Sequence, residues 1–495
     1  MPKEIHADYS KRFLLPPSLD DWVPSNHPSR FLRLFVDSLD LKALGFKERE
    51  SEEGRPNYSN DLLLRIWLYG YFYKINSSRN LERACHHELP LIWLTGMNYP
   101  DHNTLWRFFR NNRAVLKNVF KQTVRVAVQS EMVGFVLQAV DGTKVLADVS
   151  SRRSIHKVDV KNLLSKLDAI LEERLTEIEN QEKEESSQPG FGLPKSLQNK
   201  EKLQSLIKKG LEDLSMEEKK SLRTGLQSHL SNLEHEDANH LSITDKDARV
   251  MKNGNTKRFS YNAQSVVDSK EQVIVGSKVS QSVSDNHHLT EMIDEAKDNT
   301  GGKSSETVAD GGYFSGEELN KSEERGHSVL VNKSSSVGKS VGNDKGDFNK
   351  DNFRFDKKSD HYVCPLGKVL VFERTKRSKK RSSSRRVYRC KSFRDCPNRD
   401  QCSQDPRGRS IERSPYDDVI KRQLQKQKVK KNQEFLSERK KIVEPVFGWI
   451  KRNLGFRRWT YRGIESVNAQ WNMVCTTINL KKIYKKWLEG TVSLG

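Results

Sequence analysis

The stretch VGFVLQAVDGTKVLADVS, residues 133–150, decides the fold of this chain. Its first half is apolar and rich in β-branched residues, which is typical of a buried β-strand. We expect this strand to end at Asp141, so that the carboxylate projects from the edge of a sheet beside Gly142. An Asp-Gly pair after a strand is also a common turn, so one such pair alone only weakly indicates a catalytic acid.

A second Asp-Gly pair, Asp310-Gly311, follows another predicted strand, ETVA (306–309). Between the two pairs, RFSYNAQSVVDSKEQVIVGSKVSQ (258–281) has apolar runs on both sides of a turn at 268–271, which predicts an antiparallel hairpin. We expect a helix over 286–296, and a further helix and strand after the second pair. Two strand-end acids that are each followed by glycine suit a metal site at a sheet edge, because glycine allows a close approach.

A third acid, Glu444, lies in SERKKIVEPVFGWIKRNLGFRRW (437–459). The apolar residues of this stretch recur at close to four-residue spacing, which predicts a helix that Pro445 starts or bends. Glu444 would lie beside the apolar stripe, with Lys440 and Lys451 on its own side. A carboxylate partly withdrawn from water beside cations stays ionised and can bind a divalent cation. The alternative is a solvated surface glutamate.

The chain has 495 residues and a formal net charge of +21, which favours a polyanionic partner such as nucleic acid. Basic proteins can also be merely soluble or ribosome-associated. Apolar runs are short, no signal peptide is visible, and six cysteines are too few for a disulfide scaffold. We therefore expect a protein of a reducing compartment with no membrane span.

Residues 29–125 show helical spacing, and Asp101 or Asn103 is positioned to cap a helix that carries Trp106. A helix-turn-helix here would bring Arg107, Arg110 and Arg113 to DNA, whereas an ordinary helical bundle explains the spacing equally well. Leucine stripes within 155–242 on both sides of SSQPGFGLPKS predict an inserted helical hairpin. Residues 333–360 are rich in Ser, Gly, Lys and Asp and predict a flexible loop.

Four cysteines form a C-x25-C-x5-C-x5-C pattern, which suits a tetrahedral zinc ion; free thiols or ligation of another cluster remain alternatives. They are Cys364, Cys390, Cys396 and Cys402. Cys85 and Cys475 lie in apolar segments and are expected in the core. The basic run at 368–391 favours phosphate binding over a merely solvated surface. In the C-terminal stretch we assign Arg457, Arg458 and Arg462 to DNA and the aromatic residues to the core.

Taken together, these residues resemble the DDE transposases of bacterial insertion sequences, over nearly the whole chain. The family's first acid lies in a D-G-T-K-like motif, its second in an A-D-x-G-Y-like motif, and its third in a V-E-P-x-F-G-x-I-K motif followed by a G-F-R-R-like stretch. The matching positions are 141–144, 309–313, 443–451 and 455–458, and YNAQSVVD (261–268) and PDHNTLWRF (100–108) also look like the family.

The resemblance implies a ribonuclease-H-like catalytic fold in which Asp141, Asp310 and Glu444 hold two divalent cations, Mg²⁺ or Mn²⁺, for DNA cleavage and strand transfer. It implies double-stranded DNA as the partner, comprising terminal inverted repeats and target DNA. It also implies a homodimer in the synaptic complex and a cytoplasmic, nucleoid-associated location in a bacterium. Lys144 and Lys451 lie within the matched motifs and are expected at the DNA.

Related transposases often have a Y-x-x-R-x-x-x-E-x-x-x-x-x-x-K arrangement around the third acid. Here Ser437 and Lys440 occupy the Tyr and Arg positions, so Arg439 or Lys440 is the expected phosphate contact.

The predicted fold is an α/β catalytic core, a mixed sheet flanked by helices, with an all-α N-terminal domain, a helical-hairpin insertion and a small Cys-rich insertion. Residues 1–128 form the DNA-binding helical domain, 129–334 and 436–487 the catalytic domain, 150–245 the helical insertion, and 335–435 the Cys-rich insertion. Three hypotheses are compared: an active transposase, a catalytically inactive or domesticated DNA-binding derivative, and an unrelated zinc-containing nucleic-acid module. The three acids favour the first.

Overall fold

The computed structural model describes residues 18–47, 57–149, 154–158, 160–165, 167–168, 215–235, 240–242, 244–303, 305–332, 348–377 and 384–493. These residues form a mixed α/β structure with one central sheet, as expected from the sequence.

The N-terminal part of the described chain is helical. Apolar residues at three- and four-residue spacing give the helices buried faces, and Phe31, Trp67 and Phe109 are fully buried. Asp101 caps the fifth helix by accepting a hydrogen bond from the Thr104 backbone N–H at 2.7 Å, as predicted. The helices are α1 (Pro28–Asp37), α2 (Asn60–Phe72), α3 (Ser78–His87), α4 (Leu89–Leu94), α5 (His102–Asn111) and α6 (Leu116–Gln129).

The next strands of the described chain build the central sheet, except for one separate pair. They are β1 (Leu137–Leu146), β2 (Ser154–His156), β3 (His240–Ser242), β4 (Arg249–Asn253), β5 (Thr256–Asp268), β6 (Ile274–Ser280), β7 (Glu306–Ala309) and β8 (Val329–Val331). Across the sheet the order is β6-β5-β1-β7-β8, with β4 pairing the start of β5, while β2 pairs with β3. Strands β5 and β6 form the predicted antiparallel hairpin, and β7 and β8 run parallel to β1.

Strand β1 is longer than the sequence pattern predicts. It continues past Asp141 to Leu146, because the long antiparallel strand β5 pairs with it over this whole stretch. On its other side the parallel partner β7 pairs only as far as Ala309, which lies opposite Val140. Asp141 therefore lies inside β1 at the point where its parallel neighbour ends, and the expectation that the strand itself ends there is wrong.

The predicted helical hairpin is described only in part. Helix α7 (Met216–His235) is present, and its Leu222 and Leu226 are buried, as are Leu163 and Leu167 of the first leucine stripe. The remaining leucines of the two predicted stripes and the intervening turn lie outside the described residues.

Helices α8 (Leu289–Asn299) and α9 (Gly316–Glu324) connect β6, β7 and β8, and α8 begins three residues later than the pattern predicts. After the Cys-rich segment, the chain returns to the central sheet through three helices. They are α11 (Asp417–Lys426), α12 (Lys430–Arg452) and α13 (Ile464–Leu488). Helix α13 is held against β6 by Asn479, which accepts a hydrogen bond from the backbone N–H of Ile274 at 2.9 Å. Trp471 is fully buried, so this C-terminal aromatic residue lies in the core, as predicted.

The Cys-rich segment forms a second antiparallel sheet with its own apolar core. Its strands are β9 (Arg354–Asp356), β10 (His361–Val363), β11 (Val369–Lys376), β12 (Arg385–Cys390) and β13 (Ser410–Arg413), and α10 (Arg399–Cys402) lies between the last two. Strand β9 corrects the expectation of a loop up to residue 360, since Phe353 and Tyr362 are buried and anchor this stretch. Residues 333–347 of the predicted loop lie outside the described residues.

Among the helices that the structure describes, none combines the length and the apolar composition required to span a membrane.

Candidate active site

Asp141 is a mostly buried carboxylate, with 20% of its side chain exposed. Its Oδ2 accepts a hydrogen bond from Arg439 Nη1 of α12 at 2.8 Å, and its Oδ1 accepts one from the Gly142 backbone N–H at 2.8 Å. Burial raises the pKa of Asp141 to about 6, although the Arg439 guanidinium acts in the opposite direction; the charge of Asp310 raises this pKa further. Arg439 is thus the partner of an acid in this structure, rather than a free phosphate contact.

Asp310 lies directly after β7 and caps the short helical turn that follows. Its Oδ1 accepts a hydrogen bond from the Gly312 backbone N–H at 2.9 Å. Because Val140 is paired with Ala309 across neighbouring parallel strands, the next residues, Asp141 and Asp310, stand side by side at one position of the sheet. The structure therefore brings the first two predicted acids together.

Glu444 lies on the exposed side of α12, so the expectation that it is partly withdrawn from water is wrong. Along α12 it lies between Arg439 and Lys451, which are both near Asp141. Within the described residues, however, Glu444 does not form a metal-holding group with Asp141 and Asp310. Arg439 donates a hydrogen bond to Asp141. Burial lowers the pKa of Lys451, and the nearby Asp141 charge opposes this effect. Glu444 is five residues after Arg439 and seven before Lys451, or roughly 7.5 and 10 Å along the axis.

Pro445 lies within α12 and does not start it. Proline lacks a backbone N–H, so the carbonyl of Lys441, four residues earlier, loses its helical donor. The side-chain amide of Gln272 donates to that carbonyl at 2.9 Å, which compensates for the missing bond. The helix can therefore run through Pro445 and carry Arg439 and Glu444 on one element.

Asp285 is an acid of the site that the sequence patterns did not indicate. It lies in the loop between β6 and α8, and its Oδ1 accepts hydrogen bonds from Lys144 Nζ at 2.9 Å, Asn262 Nδ2 at 2.6 Å and Gln264 Nε2 at 2.8 Å. Lys144, expected at the DNA, is here engaged by this acid. The usable signal was indirect: both amides belong to the family-like segment 261–268, and two buried amides on one face of a strand require a polar partner.

Tyr313 shows that the three aspartates converge. Its ring is buried, and its hydroxyl donates to the side-chain carbonyl of Gln264. Burial raises the pKa of Tyr313 well above its ordinary value, and the charges of Asp285, Asp141 and Asp310 raise it further. A single phenol thus lies within electrostatic reach of all three carboxylates.

The glycines after the two strand-associated acids have no room for a side chain. A Cβ at Gly142 would overlap the amide nitrogen of Gln264 and lie 3.0 Å from Asp285 Oδ1. A Cβ at Gly312 would lie 2.9 Å from Asp310 Oδ1. Gly142 and Gly312 are therefore both closely packed against side chains of the site.

The basic residues predicted at DNA occupy different environments. Lys451 is half-buried near Asp141, and burial lowers its pKa. Lys440, Arg457 and Arg458 are exposed, and the strand-like segment around Arg458 pairs with Leu146 at the end of β1. Arg462 is exposed but forms an ion pair with Asp148 at 2.8 Å.

The basic side of α5 presents Arg107 and Arg110 to solvent, and the Arg110 guanidinium lies over the Trp106 ring, 5.7 Å from its centroid. Arg113 instead donates to the Ser466 hydroxyl at 2.7 Å, so it joins the N-terminal helices to α13.

The four clustered cysteines lie within electrostatic reach of one another beside the small core of the Cys-rich sheet, although as positioned in the described residues they are not close enough to hold a metal ion. Burial raises the pKa of Cys390 and Cys402, and each of these pKa values is raised further by neighbouring thiols of the set. The Lys368 backbone N–H donates to Cys364 Sγ at 3.2 Å. Cys85 and Cys475 are buried away from this cluster, as predicted.

The donors around Asp141 and Asp310 are carboxylate oxygens, which Mg²⁺ and Mn²⁺ prefer. Within the described ranges, no three Asp, Glu, His or Cys side chains stand close enough together to hold a metal ion as positioned. The chemistry of the donor set therefore fits a divalent cation, while coordination requires the carboxylates to turn toward it, which the broad terminal torsion of aspartate allows.

Comparison with known proteins identifies the class. Residues 17–111 match the family model described as Transposase domain (DUF772), and residues 363–484 match the model described as Transposase DDE domain. The second match contains Glu444 and the four clustered cysteines, whereas Asp141 and Asp310 precede it. Both matched families are transposase families, which supports an insertion-sequence DDE transposase and implies DNA as the substrate. A search of the curated proteins gave no match.

Proposed function

We propose that this transposase catalyses metal-dependent DNA strand cleavage and strand transfer at the ends of an insertion sequence. The observation that carries the proposal is the side-by-side position of Asp141 and Asp310 at neighbouring parallel strands. Helix α12, which carries Glu444, contacts Asp141 through Arg439. We propose Asp141, Asp310 and Glu444 as the catalytic, metal-binding acids. A DNA-binding derivative without activity would have no need to keep Asp141 and Asp310 together.

The strand order supports a ribonuclease-H-like catalytic fold. Strand β5 pairs antiparallel with both β1 and β6, while β7 and β8 return parallel to β1 through helices. This topology gathers acids from the middle of β1 and the end of β7 at one place. We propose the domain limits given by the sequence, with 129–334 and 436–487 as the catalytic domain.

Two divalent cations, when bound, would activate the attacking water or DNA 3′-hydroxyl and stabilise the leaving oxygen. The chain's own residues prepare the site for them. Arg439 opposes the effect of burial on Asp141, so that this carboxylate is ionised at neutral pH. Tyr313 fixes Gln264, and Gly142 lets the Gln264 and Asp285 side chains pack closely beside Asp141.

The exposed basic residues are proposed to bind DNA phosphates, since each is a cation at or near the mouth of the site or on the N-terminal helices. Lys440, Lys451, Arg457 and Arg458 would contact the strand being cut, and Arg107 and Arg110 would contact the element end. Lys144 and Arg462 are already paired with acids and would have to exchange those partners for phosphates. We propose that the protein acts as a homodimer, because joining two element ends requires two active sites. We also propose that it acts on chromosomal DNA at the nucleoid.

We also propose one structural Zn²⁺ at Cys364, Cys390, Cys396 and Cys402. The mutual proximity of the four thiols and the N–H donor to Cys364 support it, because backbone donors stabilise sulfur as thiolate. The small core of this sheet would gain a cross-link between its strands.

The test is cleavage of a duplex that carries the flanking ends of the encoding locus, with and without Mg²⁺. We expect Asp141→Asn and Asp310→Asn to bind this duplex as the wild type does but to leave it intact. Glu306→Gln, at the start of the strand that Asp310 follows, is the matched control and should cleave normally. A folded wild type that binds but never cleaves would support the inactive derivative instead.

A further inference from the structure

Asp285 has an unusually complete set of donors on one oxygen. Lys144, Asn262 and Gln264 all donate to Oδ1, and the two amide side chains belong to fully buried residues of β5. Within the described part of the chain, no donor contacts Oδ2. Three donors on one oxygen fix the carboxyl plane and direct the second oxygen to a defined place.

That place is next to the predicted catalytic acids. Asp285 Oδ2 lies 3.7 Å from the point where a Cβ of Gly312 would be, and Asp310 Oδ1 lies 2.9 Å from the same point. Asp285 Oδ1 lies 3.0 Å from the corresponding point above Gly142, the neighbour of Asp141. The Asp285 carboxylate therefore stands between Gly142 and Gly312.

We propose that Asp285 is a further metal-binding residue of this site, with Lys144, Asn262 and Gln264 as positioning residues that hold its Oδ2 toward the ion beside Asp310. This inference rests on the proposed function. It assigns Lys144 to the alignment of a carboxylate, and it gives the site a fourth acid that comes from a loop rather than from a strand end.

The chemistry of the surroundings supports this role. A carboxylate that only balanced the Lys144 charge would have no use for two further buried amides, whereas a metal ligand requires fixed orientation. The opposite reading, a purely structural ion pair, predicts that removing the Asp285 charge affects folding but not cation binding.

The test measures Mn²⁺ binding to the full-length, DNA-free chain by the loss of the free-ion signal in electron paramagnetic resonance. We expect Asp285→Asn to raise the dissociation constant about tenfold or more. Asp298→Asn is the matched control, because this exposed aspartate pairs only with Lys121 on the surface and should leave Mn²⁺ affinity unchanged. Unchanged affinity in folded Asp285→Asn overturns the inference.

A second measurement does not depend on the variant folding. Fe²⁺ loaded into the wild type, with ascorbate and peroxide, generates hydroxyl radicals that cut the backbone near the bound ion. We expect fragments that end close to residues 141, 285 and 310, and cuts at 141 and 310 without one at 285 would overturn the inference. If the wild type cleaves DNA but Mn²⁺ affinity is unchanged in Asp285→Asn, or no backbone cut occurs near residue 285, only the role of Asp285 is contradicted. If Mn²⁺ binding depends on Asp285 but the wild type does not cleave DNA, only the proposed function is contradicted.

Discussion

Replacing Asp141 by asparagine should stabilise the metal-free protein more at neutral pH than in acid. Burial raises the pKa of Asp141 from 3.8 to about 6, so the folded state binds this proton more tightly than the unfolded state. The resulting stabilisation is present below pH 4 and is lost as the pH rises through 6. Because the pKa of Asp141 differs between 3.8 in the unfolded state and about 6 in the folded state, the wild type has lost about 3 kcal/mol of unfolding free energy by pH 7.5.

The assay is urea unfolding of wild type and Asp141→Asn in EDTA at pH 4 and pH 7.5. Other groups titrate equally in both proteins, so the stability difference between them isolates Asp141, and any constant effect of the amide on Arg439 cancels between the two pH values. We expect the variant to gain about 2–3 kcal/mol relative to wild type on going from pH 4 to pH 7.5. An equal difference at both pH values, or a gain by the wild type, would refute the reasoning.

Other predictions follow from the same geometry. Gly142→Ala should abolish DNA cleavage and lower the unfolding free energy by about 1–3 kcal/mol, because its Cβ would overlap a buried amide. Gly448→Ala in α12 has open space for the Cβ and should raise the unfolding free energy by about 0.5–1 kcal/mol. Chemical denaturation measures both changes. The purified chain should release one Zn²⁺ to a chromogenic chelator, and Cys402→Ser should contain none. Arg458→Ala should reduce the slope of log binding constant against log salt concentration by about 0.9. Arg462→Ala should reduce this slope less, because the Arg462 guanidinium is already paired with Asp148. Fluorescence anisotropy across salt concentrations distinguishes the two variants.

Local sequence patterns predicted most of the elements near the site, because strands and helices there follow hydrophobic periodicity. The apolar run before Asp141, the strand before Asp310 and the capping by Asp101 are all found as predicted. Each depends on residues close in sequence, so spacing and turn chemistry were sufficient.

Features that depend on distant partners could not be predicted in this way. Strand β1 extends past Asp141 because β5, more than a hundred residues later, pairs with it. Helix α12 passes through Pro445 because Gln272 of another element satisfies the freed carbonyl. Asp285 belongs to the site only because a loop is folded against β5, and no local pattern marks a loop acid as buried beside other acids.

Glu444 provides the most direct test of the central claim, since it is the proposed catalytic acid that lies exposed. The measurement is Mg²⁺-dependent nicking of the element-end duplex by wild type, Asp310→Asn and Glu444→Gln, with Glu434→Gln on the exposed surface of the same helix as control. Both active-site variants are expected to bind the duplex without nicking it, while the control nicks it at the wild-type rate. Nicking by Glu444→Gln at the wild-type rate would contradict a single site formed by Asp141, Asp310 and Glu444.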